Sequence, residues 1–180
     1  MNSDETKGRG RIILFTGDGK GKTTAALGMV LRASGHGMKA LIIQFVKADP
    51  STGELAACRH LPGVEIVQTG RGFIPERTSP EFQEHCMAAK DGLNLAERAI
   101  VSGRYDLVLL DEICHAVGKG LLDEKQVIEV IRKGGIGTCM VMTGRNAPAG
   151  LVSLADTVTE MRPVKHGFTD GWKAQKGVEY

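Results

Sequence analysis

Short apolar runs alternate with amphipathic stretches along most of the chain. Arg11 to Phe15 (RIILF) is a bulky apolar run of the kind that forms a strand buried on both faces. Glycines at 17, 19 and 21 break it. From Lys22 to Ser34 come good helix formers, ending at Gly35-His36-Gly37, where glycine takes a left-handed cap. Ala40 to Val46 and Val64 to Gln68 predict a second and a third strand. Thr69 to Pro80, rich in Gly, Pro and charge, predicts a loop. Beyond it, Phe82, Cys86, Ala89, Leu93, Ala96 and Ile100 recur in steps of three and four, the apolar face of one long helix that Gly103 ends. Leu107 to Leu110 predicts another central strand. Asp123 and Gln126 are spaced to cap a helix with Val127, Ile128 and Ile131 turned inward, closed by Gly134 and Gly135. Thr138 to Met142 and Thr157 to Met161 read as further strands, with a short helix around Leu151 to Ala155 between them. Strands alternating with helices predict an α/β fold, a mostly parallel central sheet with helices on both faces.

Composition changes this picture little. The 180 residues fit one domain from 11 to 180, behind a flexible polar arm at 1 to 10. Lys plus Arg number 23 against 21 Asp plus Glu, and a net charge of +2 gives no field that argues for nucleic acid. Four cysteines (Cys58, Cys86, Cys114, Cys139) lie far apart with no C-x-x-C pair, which fits reduced, buried thiols in a cytoplasmic protein. No apolar stretch reaches the roughly 18 residues of a membrane span, so no membrane partner is expected. The scattered histidines lack metal-ligand spacing, and Trp172 reads as a packing anchor.

Two stretches carry chemistry. In Thr16 to Thr24 (TGDGKGKTT), Gly21, Lys22 and Thr23 match the end of the Walker A pattern G-x-x-x-x-G-K-[ST], although Thr16 stands at its first position and Gly17 one step later. In such a loop backbone N–H groups wrap phosphate oxygens, and the following helix adds its positive end. Lys22 and Lys20 would neutralise phosphate charge, and the Thr23 hydroxyl is placed to reach magnesium. Tyr105 to Ile113 (YDLVLLDEI) ends an apolar strand in Asp111 and Glu112, the arrangement by which a Walker B strand brings carboxylates to that ion. These residues predict a P-loop NTPase that binds a nucleoside triphosphate with magnesium.

Taken with "RASGHG", "LIIQFVK", "TGRNAP", "LADTVTEMRPVKH" and the tail "GWKAQKGVEY", the chain from Arg11 to Tyr180 resembles the ATP:corrinoid adenosyltransferases of the P-loop, RecA-like type. The resemblance implies transfer of the 5′-deoxyadenosyl group of ATP to the Co(I) of a reduced corrinoid, with triphosphate released whole. It implies that Gly17, Asp18, Gly19, Lys20, Gly21, Lys22, Thr23 and Thr24 hold triphosphate, its chain reversed relative to ordinary P-loop enzymes. Thr23 and Glu112 would bind magnesium with Asp111 supporting them, and Arg145 would contact phosphate or corrinoid. Phe73 corresponds to the first residue of a family aromatic pair that displaces the cobalt's lower ligand, whereas Pro75 occupies the place of the second. The N-terminus is shorter than in relatives whose helical extension covers the corrinoid. The resemblance further implies a homodimer and an electron donor such as a flavoprotein. A generic P-loop ATPase, or a nucleotide- or corrinoid-binding sensor without turnover, remains an alternative.

Overall fold

A computed structural model of the chain describes residues 10–134, 137–167 and 171–178. The expected arm lies outside these apart from Gly10, as do Gly135 and the last two residues of the tail. The elements run β1 (Ile12–Thr16), α1 (Lys22–Gly35), β2 (Ala40–Gln44), α2 (Gly53–Cys58), β3 (Val64–Gln68), α3 (Phe82–Ser102), β4 (Leu107–Asp111), α4 (Ile113–Lys119), α5 (Glu124–Arg132), β5 (Cys139–Thr143), α6 (Ala149–Leu154) and β6 (Thr157–Glu160). The strands form one sheet in the order β3-β2-β4-β5-β1-β6, and every pairing among the described residues is parallel.

The apolar runs are continuous because the central strands are covered on both faces. Leu107 and Leu109 of β4 pack with Ala26, Val30 and Ala33 of α1, while Val108 and Leu110 pack with the inner faces of α3 and α5. α1 and α2 therefore cover one face, and α3 to α6 the other. β6, at the edge, is exposed along its whole length and correspondingly polar. α3 ends as its spacing predicts, with Gly103 in the left-handed region at φ 61°. Asp123 caps α5, its carboxylate accepting from the amides of Lys125 at 2.9 Å and Gln126 at 3.2 Å.

Several expectations needed correcting. β2 stops at Gln44 rather than Val46, although Phe45 stays buried. There the Phe45 amide turns to donate to the Asp111 carbonyl. α2 and α4 have six and seven residues, too short for an apolar face to show as a period. Trp172 does not anchor the tail; the residue is 74% exposed. No helix among the described residues is long and apolar enough to cross a membrane.

Leu109 is fully buried in the middle of β4. Leu109→Ala leaves a cavity and is expected to cost about 2–5 kcal/mol, measured as a lower urea midpoint with an unchanged slope.

Candidate active site

The carboxyl ends of the strands carry the chemistry-bearing side chains, the usual place for a ligand on an open parallel sheet. β1 runs straight into the phosphate loop. Thr16, which stands where the Walker A pattern has glycine, accepts a hydrogen bond from the Ala147 amide at 3.1 Å through its hydroxyl. That bond ties the start of the loop to the segment after β5 that carries Arg145.

The loop glycines answer first to the protein itself. A Cβ on Gly17 would stand 2.4 Å from the Met161 carbonyl oxygen, and Gly17 has φ 92°. A Cβ on Gly19 would stand 2.7 Å from the same carbonyl, to which the Gly19 amide donates at 2.7 Å. The Gly19 N–H is thus engaged by the chain leaving β6. Lys20 also reaches the tail, donating to the Val178 carbonyl at 3.0 Å. Asp18 and Thr24 are exposed, and Gly21 takes φ 109° to open α1.

Lys22, buried at the head of α1, folds back to donate to the Gly19 carbonyl at 2.7 Å. Burial lowers its pKa, partly opposed by the negative charge of Glu112. One residue on, the Thr23 hydroxyl donates to Asp111 Oδ1 at 2.8 Å. Asp111 is fully buried and accepts further bonds from the Thr143 hydroxyl at 2.7 Å and, at Oδ2, from Gln44 Nε2 at 3.1 Å. Lys47 Nζ lies 3.8 Å from Oδ2 and 2.5 Å from Glu54 Oε1.

Glu112 takes φ 64°, a left-handed conformation uncommon for glutamate and costing about 1–2 kcal/mol. Its amide donates to the Thr143 hydroxyl at 2.8 Å. Burial, and then the charge of Asp111, raise its carboxyl pKa, whereas Lys22, Lys47 and Arg145 pull it back. Arg145 is exposed, but its charge is felt at Lys22, Glu112 and His115, so it belongs to this cluster.

Phe73 does not join the cluster. It projects, 93% exposed, from the loop after β3, which nevertheless is pinned on both sides. Ile74 is buried in the core, Arg77 Nε donates to the Lys119 carbonyl at 3.1 Å, and Arg71 pairs with Glu84 at 2.6 Å.

Sequence reasoning passed over Gln44, Lys47 and Thr143. A signal existed for two of them: Gln44 interrupts an apolar run, and Thr143 ends one. Both are polar residues where a strand buried on both faces should carry none without a partner. Lys47 gave no such sign.

A family model described as ATP:corrinoid adenosyltransferase BtuR/CobO/CobP matches residues 8–180. The corrinoid adenosyltransferase of Pseudomonas aeruginosa is 41% identical over 173 residues, covering 96% of this chain and 84% of that one. The corrinoid adenosyltransferase of Escherichia coli K12 is 39% identical over 175 residues, covering 96% and 86%. Among solved structures, the flagellar accessory protein FlaH from Methanocaldococcus jannaschii is similar with a TM-score of 0.57 at 9% identity, covering 85% of this chain and 71% of that one, a likeness of fold alone. A model that spans nearly the whole chain, and relatives that match 96% of it, place this protein plainly: it belongs to the ATP:corrinoid adenosyltransferase family.

Proposed function

We infer that the chain transfers the 5′-deoxyadenosyl group of ATP to the Co(I) of a reduced corrinoid and releases triphosphate. The observation that carries the assignment of the site is the hydrogen bond from Thr23 to Asp111, 88 residues apart, beside Glu112 and Lys22. It joins the phosphate loop to the acidic strand end at one point.

In the reaction the corrinoid's Co(I) supplies an electron pair to C5′ of the ribose. The C5′–O bond breaks, and its electrons leave with the triphosphate. Negative charge therefore grows on the oxygen departing toward the phosphate loop, where fixed positive groups act most strongly. Lys22 supplies that charge from a buried position, and Lys20 and Arg145 add to it. No general base is required, because the nucleophile arrives as reduced metal.

The oxygen donors here suit magnesium, which prefers one or two carboxylates together with phosphate oxygens and water. No group of three or more His, Cys, Asp or Glu able to hold a metal occurs among the described residues. Thr23 and Glu112 would hold the magnesium. Asp111, with both oxygens already engaged, orients Thr23. Magnesium bound there would neutralise charge on the leaving triphosphate.

Phe73 serves as an apolar wedge against the corrinoid, held out by a loop that Ile74, Arg77 and Arg71 fasten. In this reading the electron that takes Co(II) to Co(I) comes from a donor outside the chain, such as a flavoprotein.

An anaerobic assay with ATP, magnesium and chemically reduced cobalamin is expected to show cobalt–carbon bond formation in the spectrum and triphosphate by chromatography. Orthophosphate or diphosphate as the product, with cobalt unalkylated, would instead identify an ATPase. Lys22→Ala is expected to lower kcat by about 100-fold or more; wild-type rates would remove Lys22 from the leaving-group site. Phe73→Ala is expected to leave the melting temperature unchanged, since the ring is exposed. The same variant should slow adenosylation when the assay starts from Co(II) and an external reductant.

A further inference from the structure

We propose that Thr143 is a positioning residue of the adenosyltransferase site, its one hydroxyl setting Thr23 and Glu112 in the mutual arrangement that receives the magnesium of the bound nucleotide. The proposal rests on the reading of Thr23 and Glu112 as the magnesium-binding groups.

β5 lies between the strand that enters the phosphate loop and the strand that ends in the acidic pair. Its register places Thr143 beside Phe15 of β1, and Met142 beside Leu110 of β4. Thr143 is thus carried to the seam between the two motifs, fully buried, where water does not compete for its hydroxyl. A hydroxyl has one proton to donate and lone pairs with which to accept. Here the proton goes to Asp111 Oδ1 at 2.7 Å, and the oxygen accepts the Glu112 amide at 2.8 Å. Asp111 Oδ1 also accepts from the Thr23 hydroxyl at 2.8 Å. A continuous chain results: Glu112 amide to Thr143, Thr143 to Asp111, and Thr23 to the same Asp111 oxygen.

Two consecutive residues are thereby held by one side chain, Asp111 at its carboxylate and Glu112 at its backbone. The Glu112 bond matters most, because that residue stands at φ 64°, a conformation that survives only when its surroundings hold it. The direction in which the Glu112 carboxylate leaves the backbone depends on that conformation. The Asp111 bond fixes the acceptor that in turn orients Thr23.

If Thr143 only filled space, its methyl group would matter and its oxygen would not. Thr143→Val keeps the shape and removes the hydroxyl, whereas Thr143→Ser keeps the hydroxyl and removes a methyl group. ATP affinity is measured by calorimetry without corrinoid, once with magnesium and once with a chelator, and the ratio of the two reports the contribution of the ion. For Thr143→Val the ratio is expected to fall tenfold or more, while Thr143→Ser stays within twofold of wild type. A packing defect would weaken both affinities together and leave the ratio alone. Should Thr143→Val fail to fold, Thr143→Cys carries the comparison, since a thiol is a weak donor and acceptor of similar size. A wild-type ratio in Thr143→Val or in its substitute, or an equal fall in Thr143→Ser, overturns the role of Thr143. Wild-type protein that gains no ATP affinity from magnesium overturns the magnesium reading of the site, and the role of Thr143 with it.

Discussion

The carboxylate of Asp111 is buried where water cannot reach it, and the rest of the site is arranged around that fact. A charge of this kind is stable inside a protein only if hydrogen bonds replace its hydration, and an unpaired one costs several kcal/mol. Asp111 draws its replacements from three directions: Thr23 at the head of α1, Gln44 at the end of β2 and Thr143 at the end of β5. Each bond to a charged group contributes about 1.5–3 kcal/mol. The need to satisfy one carboxylate therefore draws together the phosphate loop, the acidic strand end and two neighbouring strands. Residues that would handle a triphosphate are held by elements of the sheet and not by loops alone, which gives the fixed geometry that electrostatic stabilisation requires.

Around this hub the protein presses its own backbone into the places where small residues leave room. Gly17 and Gly19 admit the chain leaving β6, and the Met161 carbonyl takes the Gly19 amide. The edge strand thus props the phosphate loop from outside, while Thr16 links it to the Arg145 segment. The loop after β3 follows the same logic in another form: a buried isoleucine and two arginine contacts fix a segment whose phenylalanine touches almost nothing. Exposing an aromatic ring forgoes burial of about 1.5–3 kcal/mol.

The sequence made the long elements legible. α3 declared its inner face by spacing and its end by Gly103, and the strands of the central sheet stood out as unbroken apolar runs. α2 and α4 stayed hidden because a helix of six or seven residues shows no period and owes its existence to tertiary contacts. Trp172 misled for a related reason: a large aromatic residue favours burial on average, and its actual exposure depends on what the rest of the chain brings near it.

What the sequence determined by itself was local: the order of strands and helices, the Gly-Lys-Thr loop at a helix head, the acid pair closing an apolar strand, and through these motifs the family. Only the tertiary structure decided which of these residues meet. Thr23 and Asp111 are joined across 88 positions, Thr143 and Asp111 across 32, and Thr16 and Ala147 across 131. Such partners are chosen by strand order and register, which arise when every element buries its apolar face at once. A pattern of residues along one stretch of chain records its own element's faces and ends. It holds no record of which polar tip will stand beside which when β5 comes to lie between β1 and β4.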